Sequence, residues 1–312
     1  MTSSKTRAKT IWAAGLGGAA ALTAFLARSR YERRTLSVEE TWISSPKIKK
    51  DKTFVFLSDL HDNSFGPGNE ILLGAIDQAR PDGVLIGGDM MVTKGVGDLY
   101  PSLALLRRLA ARYPVYYGNG NHESRLRWER ELYGRRYEAY RRQLEAWGVH
   151  YLENDSALWQ EDVVISGADL DQRFYRKAFF RKPEPMKSGY LRARLGDADE
   201  KRFQILMIHS PLYFKNCADW GADLTLCGHF HGGTIRLPLL GGVMTPQYQF
   251  FLPWCAGEFQ REGKRMIVSR GLGTHSINIR LNNLPQLAVV NLKAEGPGAG
   301  EKQKGQRMTG GR

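Results

Sequence analysis

Eight residues of this chain have the types and spacing that do chemistry: Asp59, His61, Asp89, Asn121, His122, His209, His229 and His231. They fall in five short motifs, Asp59-Leu60-His61, Gly88-Asp89, Gly120-Asn121-His122-Glu123, His209-Ser210-Pro211 and Gly228-His229-Phe230-His231. Five of the seven histidines lie inside these motifs, and only His150 and His275 lie outside. Carboxylate, imidazole and amide oxygen together suit borderline divalent metals such as Mn, Fe or Zn. Asp-x-His and His-x-His pairs work in such a set because alternate residues of an extended segment point the same way. The flanking glycines let the backbone turn sharply and approach an ion closely. One such pair alone is more often structural, whereas five in succession point to a site for two divalent ions. A pair of such cations lowers the pKa of a water held between them from about 15.7 toward about 7.

The stretch TLCGHFHGGT, residues 225–234, also admits a zinc-knuckle reading, which the rest of the chain excludes. There are three cysteines, Cys217, Cys227 and Cys255, and no CxxC pair. A structural zinc site needs paired thiolates, and an odd, sparse set is no disulfide framework. Cys227 reads as a small apolar residue at the end of a strand.

Elements that would position these residues are legible upstream of each motif. TFVFLS (53–58), GVLIGG (83–88) and VYYGNG (115–120) are short apolar runs typical of buried strands. Between them, 69–80 and 103–111 carry helical spacing and are stopped by Pro81 and Pro114. Strand, helix, strand, helix, strand with short links predicts a parallel sheet with right-handed crossovers. Further strands are expected at 163–167, 203–209, 223–228, 265–269 and 286–292. So many strands with fewer helices predict two packed sheets with helices outside. Asp59 to Asp89 spans 30 residues and Asp89 to Asn121 spans 32, about one strand–helix repeat each. The motifs therefore meet at the carboxyl edge of the sheet, where open α/β sheets bind ligands.

The formal net charge of +13 belongs mostly to the ends. Residues 1–34 hold seven Lys/Arg against Glu32, and 293–312 hold five against two. The remainder carries 33 basic and 29 acidic residues, which argues against a nucleic-acid-binding core. Residues 11–27 form a run of 17 without charge, flanked by basic residues on both sides. At roughly 1.5 Å per residue it spans about 25 Å, the short end of a bilayer, and the expectation is an uncleaved membrane anchor over 1–34. A cleaved signal peptide is the rival, disfavoured because no small-x-small site precedes Arg28. Charge on both flanks leaves the side of the membrane open. The catalytic domain is expected over 45–292, and the Gly-rich, aperiodic 293–312 reads as a disordered tail.

With the motifs in view, the chain resembles the calcineurin-like metallophosphoesterase superfamily over roughly residues 50–292. The superfamily pattern D-x-H, G-D, G-N-H-[DE], H and G-H-x-H is complete at the positions named above. The segments GHFHGGTIRLPLLGGVMTP and SRGLGTHSINIRLNNLPQL resemble the YkuE/YaeI-type branch, phosphoesterases that often carry an N-terminal membrane segment. The resemblance implies a four-layer α/β/β/α sandwich. It implies that Asp59, His61, Asp89 and His231 hold one divalent ion, and that Asp89, Asn121, His209 and His229 hold a second, with Asp89 bridging. It implies that His122 is the catalytic histidine, contacting the phosphate and assisting the leaving group. One departure is GDMMV, which lacks the acidic or Asn residue that often follows the Gly-Asp pair.

Two basic-aromatic stretches bear on the substrate. Residues 124–147 place Tyr133, Tyr137, Tyr140, Leu144 and Trp147 at helical spacing, an amphipathic helix packed on the sheet. Arg125, just after the His122 motif, is the candidate there for reaching a substrate phosphate. RFYRKAFFRKPEP (173–185) has no period and reads either as a surface loop or as a membrane-facing cap over the site. Together these features favour a phosphorylated small-molecule or lipid-linked substrate. By resemblance the concrete alternative is pyrophosphate cleavage of a UDP-2,3-diacylglucosamine-type compound. A non-catalytic metal-binding scaffold is the reading of a different class, opposed by the completeness of the ligand set.

Overall fold

The structure is a computed structural model that describes residues 2–93, 99–177, 182–274 and 277–295. A long helix α1 (Thr2–Glu32) leads into β1 (Ser37–Ser45) and β2 (Lys52–Leu57). The repeats predicted next are present as α2 (Glu70–Ala79), β3 (Gly83–Ile86), α3 (Tyr100–Ala110) and β4 (Val115–Gly118). Three helices, α4 (Asn121–Trp128), α5 (Arg130–Tyr133) and α6 (Arg136–Ala146), precede β5 (His150–Leu152), β6 (Asp155–Trp159) and β7 (Val163–Ala168). Then come α7 (Tyr190–Leu195), β8 (Phe203–Ile208), α8 (Phe214–Trp220) and β9 (Leu224–Cys227). A minimal pair, β10 (Arg236–Leu237) and β11 (Gly241–Gly242), is followed by β12 (Gly257–Arg261), β13 (Lys264–Val268) and β14 (Gln286–Ala294).

The strands form two parallel-rich six-stranded sheets, in the orders β1-β14-β2-β3-β4-β5 and β12-β13-β9-β8-β7-β6. Antiparallel pairing occurs at β14–β2, β12–β13 and β6–β7. The two-residue period of a strand sorts each side chain to one of two interfaces. On β2, Phe54 and Phe56 face the second sheet, where they join Ile165, Met207 and Leu226. Val55 and Leu57 point the other way and meet Leu72 and Ile76 of α2 and Leu105 and Leu109 of α3. Tyr137, Tyr140 and Leu144 of α6 complete that outer layer. On the far side Leu206, Ile208, Cys227 and Val268 pack with Leu191 of α7 and Cys217 of α8. Strands buried on both faces explain why their sequences are continuous apolar runs. Each buried Phe or Leu contributes roughly 1.5–3 kcal/mol by leaving water.

An ion pair also fastens one sheet to the other. Lys52 Nζ on β2 lies 2.7 Å from Asp162 Oδ2 at the start of β7, with both side chains buried. The same oxygen accepts the Lys49 backbone N–H at 2.7 Å.

Four expectations need adjusting. The segment 124–147 is three short helices rather than one, broken at Glu129 and Gly134, although its predicted tyrosines are buried as expected. The first strand starts at Ser37, ahead of the expected boundary at 45, and pairs in parallel with β14. Its alternation is hidden because Val38 and Trp42 are exposed and only Thr41 and Ile43 are buried. Residues 11–27 are helical within α1, yet among the described residues no helix is long and apolar enough to cross a membrane. Ten of those 17 residues are Ala or Gly, which bury little apolar area each. At the C-terminal end β14 reaches Ala294, whose N–H bonds Asp51. The expected disordered tail otherwise falls at 296–312, outside the described residues, as do 178–181 of the basic-aromatic stretch.

Truncating Asp162 to Ala leaves the Lys52 ammonium buried without its carboxylate, and is expected to cost about 3 kcal/mol of unfolding free energy. Urea denaturation of the full chain checks this, and a midpoint equal to that of the unmutated protein would exclude a clamp between the sheets.

Candidate metal centre

Every residue singled out by type and spacing arrives at one edge of the sandwich. Asp59 and His61 follow β2, Asp89 follows β3, and Asn121 and His122 open α4 just after β4. His209 follows β8, and His229 and His231 follow β9. Both sheets therefore supply ligand-type groups from the carboxyl ends of parallel strands, and all eight residues are buried. Three triads form, each with its donor atoms within 4.8 Å of one another: Asp59, His61 and His231; His61, Asp89 and His122; Asp89, His209 and His229. His231 Nε2 lies 3.3 Å from Asp59 Oδ1, and His209 Nε2 lies 3.1 Å from Asp89 Oδ2. His61 Nε2 is 3.1 Å from His231 Nε2 and 3.7 Å from Asp89 Oδ2. Donors bound to one ion at about 2.0–2.2 Å stand roughly 3–3.5 Å apart, so these separations are those of atoms gathered around cations.

The backbone is bent to achieve this. Asp59, His61, Asp89, His229 and His231 all have positive φ, between 46° and 68°. Left-handed backbone costs an ordinary residue about 1–2 kcal/mol, and its concentration at five adjoining candidate ligands marks a functional site. Gly228 is required for a separate reason, since a Cβ there would stand 2.2 Å from Asp59 Oδ2 and 2.0 Å from Ser58 Oγ. The turn after β9 thus lies directly against the Asp59 carboxylate, and the His229 N–H donates to both of its oxygens at 3.1 Å.

Hydrogen bonds around the triads fix which atom each residue presents. The His122 N–H donates to Asp89 Oδ1 at 2.7 Å, which leaves Oδ2 facing His209 and His61. His209 Nδ1 lies 2.7 Å from the Gly87 carbonyl, and His231 Nδ1 lies 3.2 Å from that of Gly273. A carbonyl takes only a donor, so both rings carry a proton on Nδ1 and turn Nε2 toward the site. His122 is the opposite case. Its Nδ1 accepts the Thr93 backbone N–H at 2.8 Å, which puts the proton of the neutral ring on Nε2. Proximity groups His122 with His61 and Asp89, but its tautomer makes it a hydrogen-bond donor.

Electrostatics agree with a site built for cations. Burial raises both carboxyl pKa values; at Asp59, with the Asp89 charge added, it prevails. At Asp89 the attraction of His209 leads the effects that outweigh burial, and the carboxyl is held well below its ordinary range. Burial works against charge on His209, yet Asp89 and Asp59 raise its pKa to about 10. The Asn121 Oδ1 is buried and accepts no hydrogen bond among the described residues. His209 Nε2 and Asp89 Oδ2 are 3.1 Å apart within this group. These residues fit divalent ions.

Supporting residues lie around the ligand set, of which Glu123 belongs to a motif and Asn283, Arg280 and Glu32 do not. Glu123, buried on α4, accepts the N–H groups of Asp89, Met90 and Gly120 and the Tyr117 hydroxyl at 2.6–2.9 Å, tying the β3 and β4 loops together. Asn283 donates to the carbonyls of His231 and Thr234. The fully buried Arg280 donates to the carbonyls of Arg270, Gly271 and Asn283, and also to that of Gly273, the carbonyl that meets His231. Burial lowers its pKa to about 9, so it remains a cation at neutral pH. Glu32, at the end of α1, accepts the backbone N–H groups of Asn282 and Asn283 at 2.9 and 2.8 Å. The helix read as an anchor is thus joined to the loop behind His231. The lone sign in sequence was the late segment that resembles the YkuE/YaeI branch. Arg125 stands where expected, one turn into α4, with Nη1 on the Thr93 carbonyl at 3.2 Å.

Two packed sheets with carboxylates and imidazoles at the ends of their parallel strands define a metal-dependent phosphoester hydrolase. Residues 52–233 match the family model for the calcineurin-like phosphoesterase, and the chain belongs to that family. It is 27% identical over 222 residues to the uncharacterized metallophosphoesterase YkuE of Bacillus subtilis, covering 70% of each chain. It is 27% identical over 247 residues to the phosphodiesterase YaeI of Escherichia coli, covering 76% of this chain and 81% of that one. The uncharacterized metallophosphoesterase YkoQ of Bacillus subtilis is 25% identical over 243 residues, 77% of this chain and 83% of that one.

Gly228→Ala should push the Asp59 carboxylate out of place and lower the bound metal per chain, measured by elemental analysis after dialysis against Mn. Full metal content with an unchanged thermal midpoint would show that the close approach of this turn is dispensable.

Proposed function

We propose that the protein hydrolyses phosphodiesters or pyrophosphates with two divalent ions, Mn, Fe or Zn. Asp59, His61, Asp89 and His231 hold one ion; Asp89, Asn121, His209 and His229 hold the other. The observation that carries this reading is Asp89: it belongs to two of the three triads, and its Oδ2 is turned toward them by the His122 N–H. When bound, the ions supply Lewis-acid neutralisation of phosphoryl charge and lower the pKa of coordinated water. The chain's own residues do the rest. His122, protonated at Nε2, donates a hydrogen bond to the phosphoryl or leaving-group oxygen and supplies the proton as that group departs. Thr93 holds the ring in this tautomer through its backbone N–H. Arg125 offers its guanidinium to the phosphate from α4.

The substrate is on this reading a phosphorylated, membrane-associated or lipid-linked compound. Support comes from α1, whose Trp12, Leu16, Leu22 and Leu26 are exposed ahead of Arg28 and Arg30. The phosphodiesterase name of the YaeI relative favours diester chemistry. Membrane attachment through α1 is tested by flotation of the full chain with anionic vesicles, where protein left in the dense fraction opposes it.

Asp89→Asn should abolish Mn-dependent hydrolysis of bis-p-nitrophenyl phosphate, whereas His122→Asn should keep the metal and lose roughly 10²–10⁴ of kcat. Retained activity and metal in the Asp89 variant would sink the two-ion reading. Protons also compete with metal at His209: the metal-free ring stays charged up to about pH 10, and a ligating Nε2 must be bare. Metal binding between pH 7 and 9 therefore expels a proton, and apparent affinity should rise about tenfold per pH unit. Calorimetry in buffers of different ionisation enthalpy measures this release, and affinity that stays flat over that range counts against His209 as a ligand.

A further inference from the structure

We propose that the cleft beside the metal centre is a second anion subsite. On this proposal, which rests on the catalytic reading above, the substrate carries a second phosphate next to the scissile one and a planar group beyond it. The cleft, of about 470 Å3, is lined at one end by Asn121 and His229, so it opens onto the metal centre. Its wall carries Arg125, Arg176 and Lys177, and none of its described lining residues is a carboxylate. Three cations around one opening repel one another unless an anion joins them. Two acids border this wall, and one of them already offsets Arg125. Asp171 is paired with Arg173 and Arg194, and Glu129 lies 3.5 Å from Arg125 on the same helix.

The wall is built rather than loose. The Gln247 amide donates to the carbonyls of Phe174 and Arg176 at 3.1 and 3.0 Å, and this ties down the segment that bears Arg176 and Lys177. Lys177 also sits over the Tyr248 ring at 5.0 Å. Trp128 and Tyr175 line the same cleft with ring centroids 6.0 Å apart. The Tyr175 ring meets His229 edge-on at 5.2 Å, which places it at the mouth of the metal centre.

These chemistries fit a two-phosphate linkage. The ions neutralise the phosphate under attack, so a single-charge diester would bring no anion to Arg176 and Lys177. Two guanidinium groups and an ammonium suit a second phosphate, with bidentate geometry offered by Arg176, since Arg125 already holds the Thr93 carbonyl. The aromatic pair beyond offers a stacking face. The basic-aromatic stretch beginning at Arg173 thus gains a task in its described part: Tyr175, Arg176 and Lys177 form one side of the subsite.

The test uses the full, Mn-loaded chain and an Arg176→Ala/Lys177→Ala double variant. Turnover is compared on diadenosine diphosphate and on the p-nitrophenyl ester of thymidylate, which keeps a nucleoside but has one charge at the phosphorus. The ratio of kcat/KM for the diphosphate over the ester should fall about tenfold in the double variant. Calorimetric titration of the metal-free proteins with diadenosine diphosphate reads the subsite without turnover, and the variant should bind about tenfold more weakly. Equal ratios or equal binding in the two proteins overturn the subsite while leaving hydrolysis intact. A wild-type chain that turns over neither compound overturns the catalytic reading instead, and the titration then decides the subsite alone.

Discussion

The structure depends on one carboxylate held in a fixed orientation. Asp89 is fully buried where the edges of two sheets meet, its Oδ1 occupied by the first turn of α4 and its Oδ2 left to face His209 and His61. A buried carboxylate without compensation is costly, so its surroundings must supply positive charge. They do so from both sheets: His61 follows β2 of the first, and His209 follows β8 of the second. A change in how the sheets pack would separate these groups. The hydrophobic interface between the sheets and the Lys52–Asp162 pair therefore act on the site as well as on stability.

Around that carboxylate the backbone is strained, and the strain is held by polar contacts rather than by apolar packing. Of the five left-handed candidate ligands, Asp89 is held by Glu123, and His231 by Asn283 and, through the Gly273 carbonyl, by Arg280. This resembles the support that metal sites generally need, in which outer hydrogen bonds fix ring orientation and tautomer. The tautomers divide the histidines by role. His209 and His231 hold a proton on Nδ1 and turn Nε2 to the site, whereas His122 accepts at Nδ1 and presents a proton on Nε2.

Helix α1 joins this picture at its end. Ser29 accepts the Arg280 N–H and Glu32 accepts those of Asn282 and Asn283, so the first helix of the chain bears on the loop that meets His231. Membership of the calcineurin-like phosphoesterase family sets the reaction class, and the neighbouring cleft places Arg125, Arg176 and Lys177 beside the site.

By itself the sequence determined the ligand-type residues, the strands before them and their convergence on one edge. Those features are local: apolar runs mark buried strands, and a residue just beyond a parallel strand lies at its carboxyl end whatever the rest does. It also showed that Cys227 is packing, and the residue is indeed buried against the outer helices. Only the tertiary structure decided what depends on distant partners. The β1–β14 pairing joins residues some 250 apart, and β1 carries too little apolar alternation to announce itself. The break of 124–147 into three helices follows from packing over the sheet rather than from its period. Glu123 stands in a motif but its partners do not show there, and Arg280 and Asn283 lie outside every motif, because an Arg or Glu is ordinarily a solvated side chain. Here each is buried only because backbone groups from separate loops converge on it, and that convergence exists only once the chain has folded.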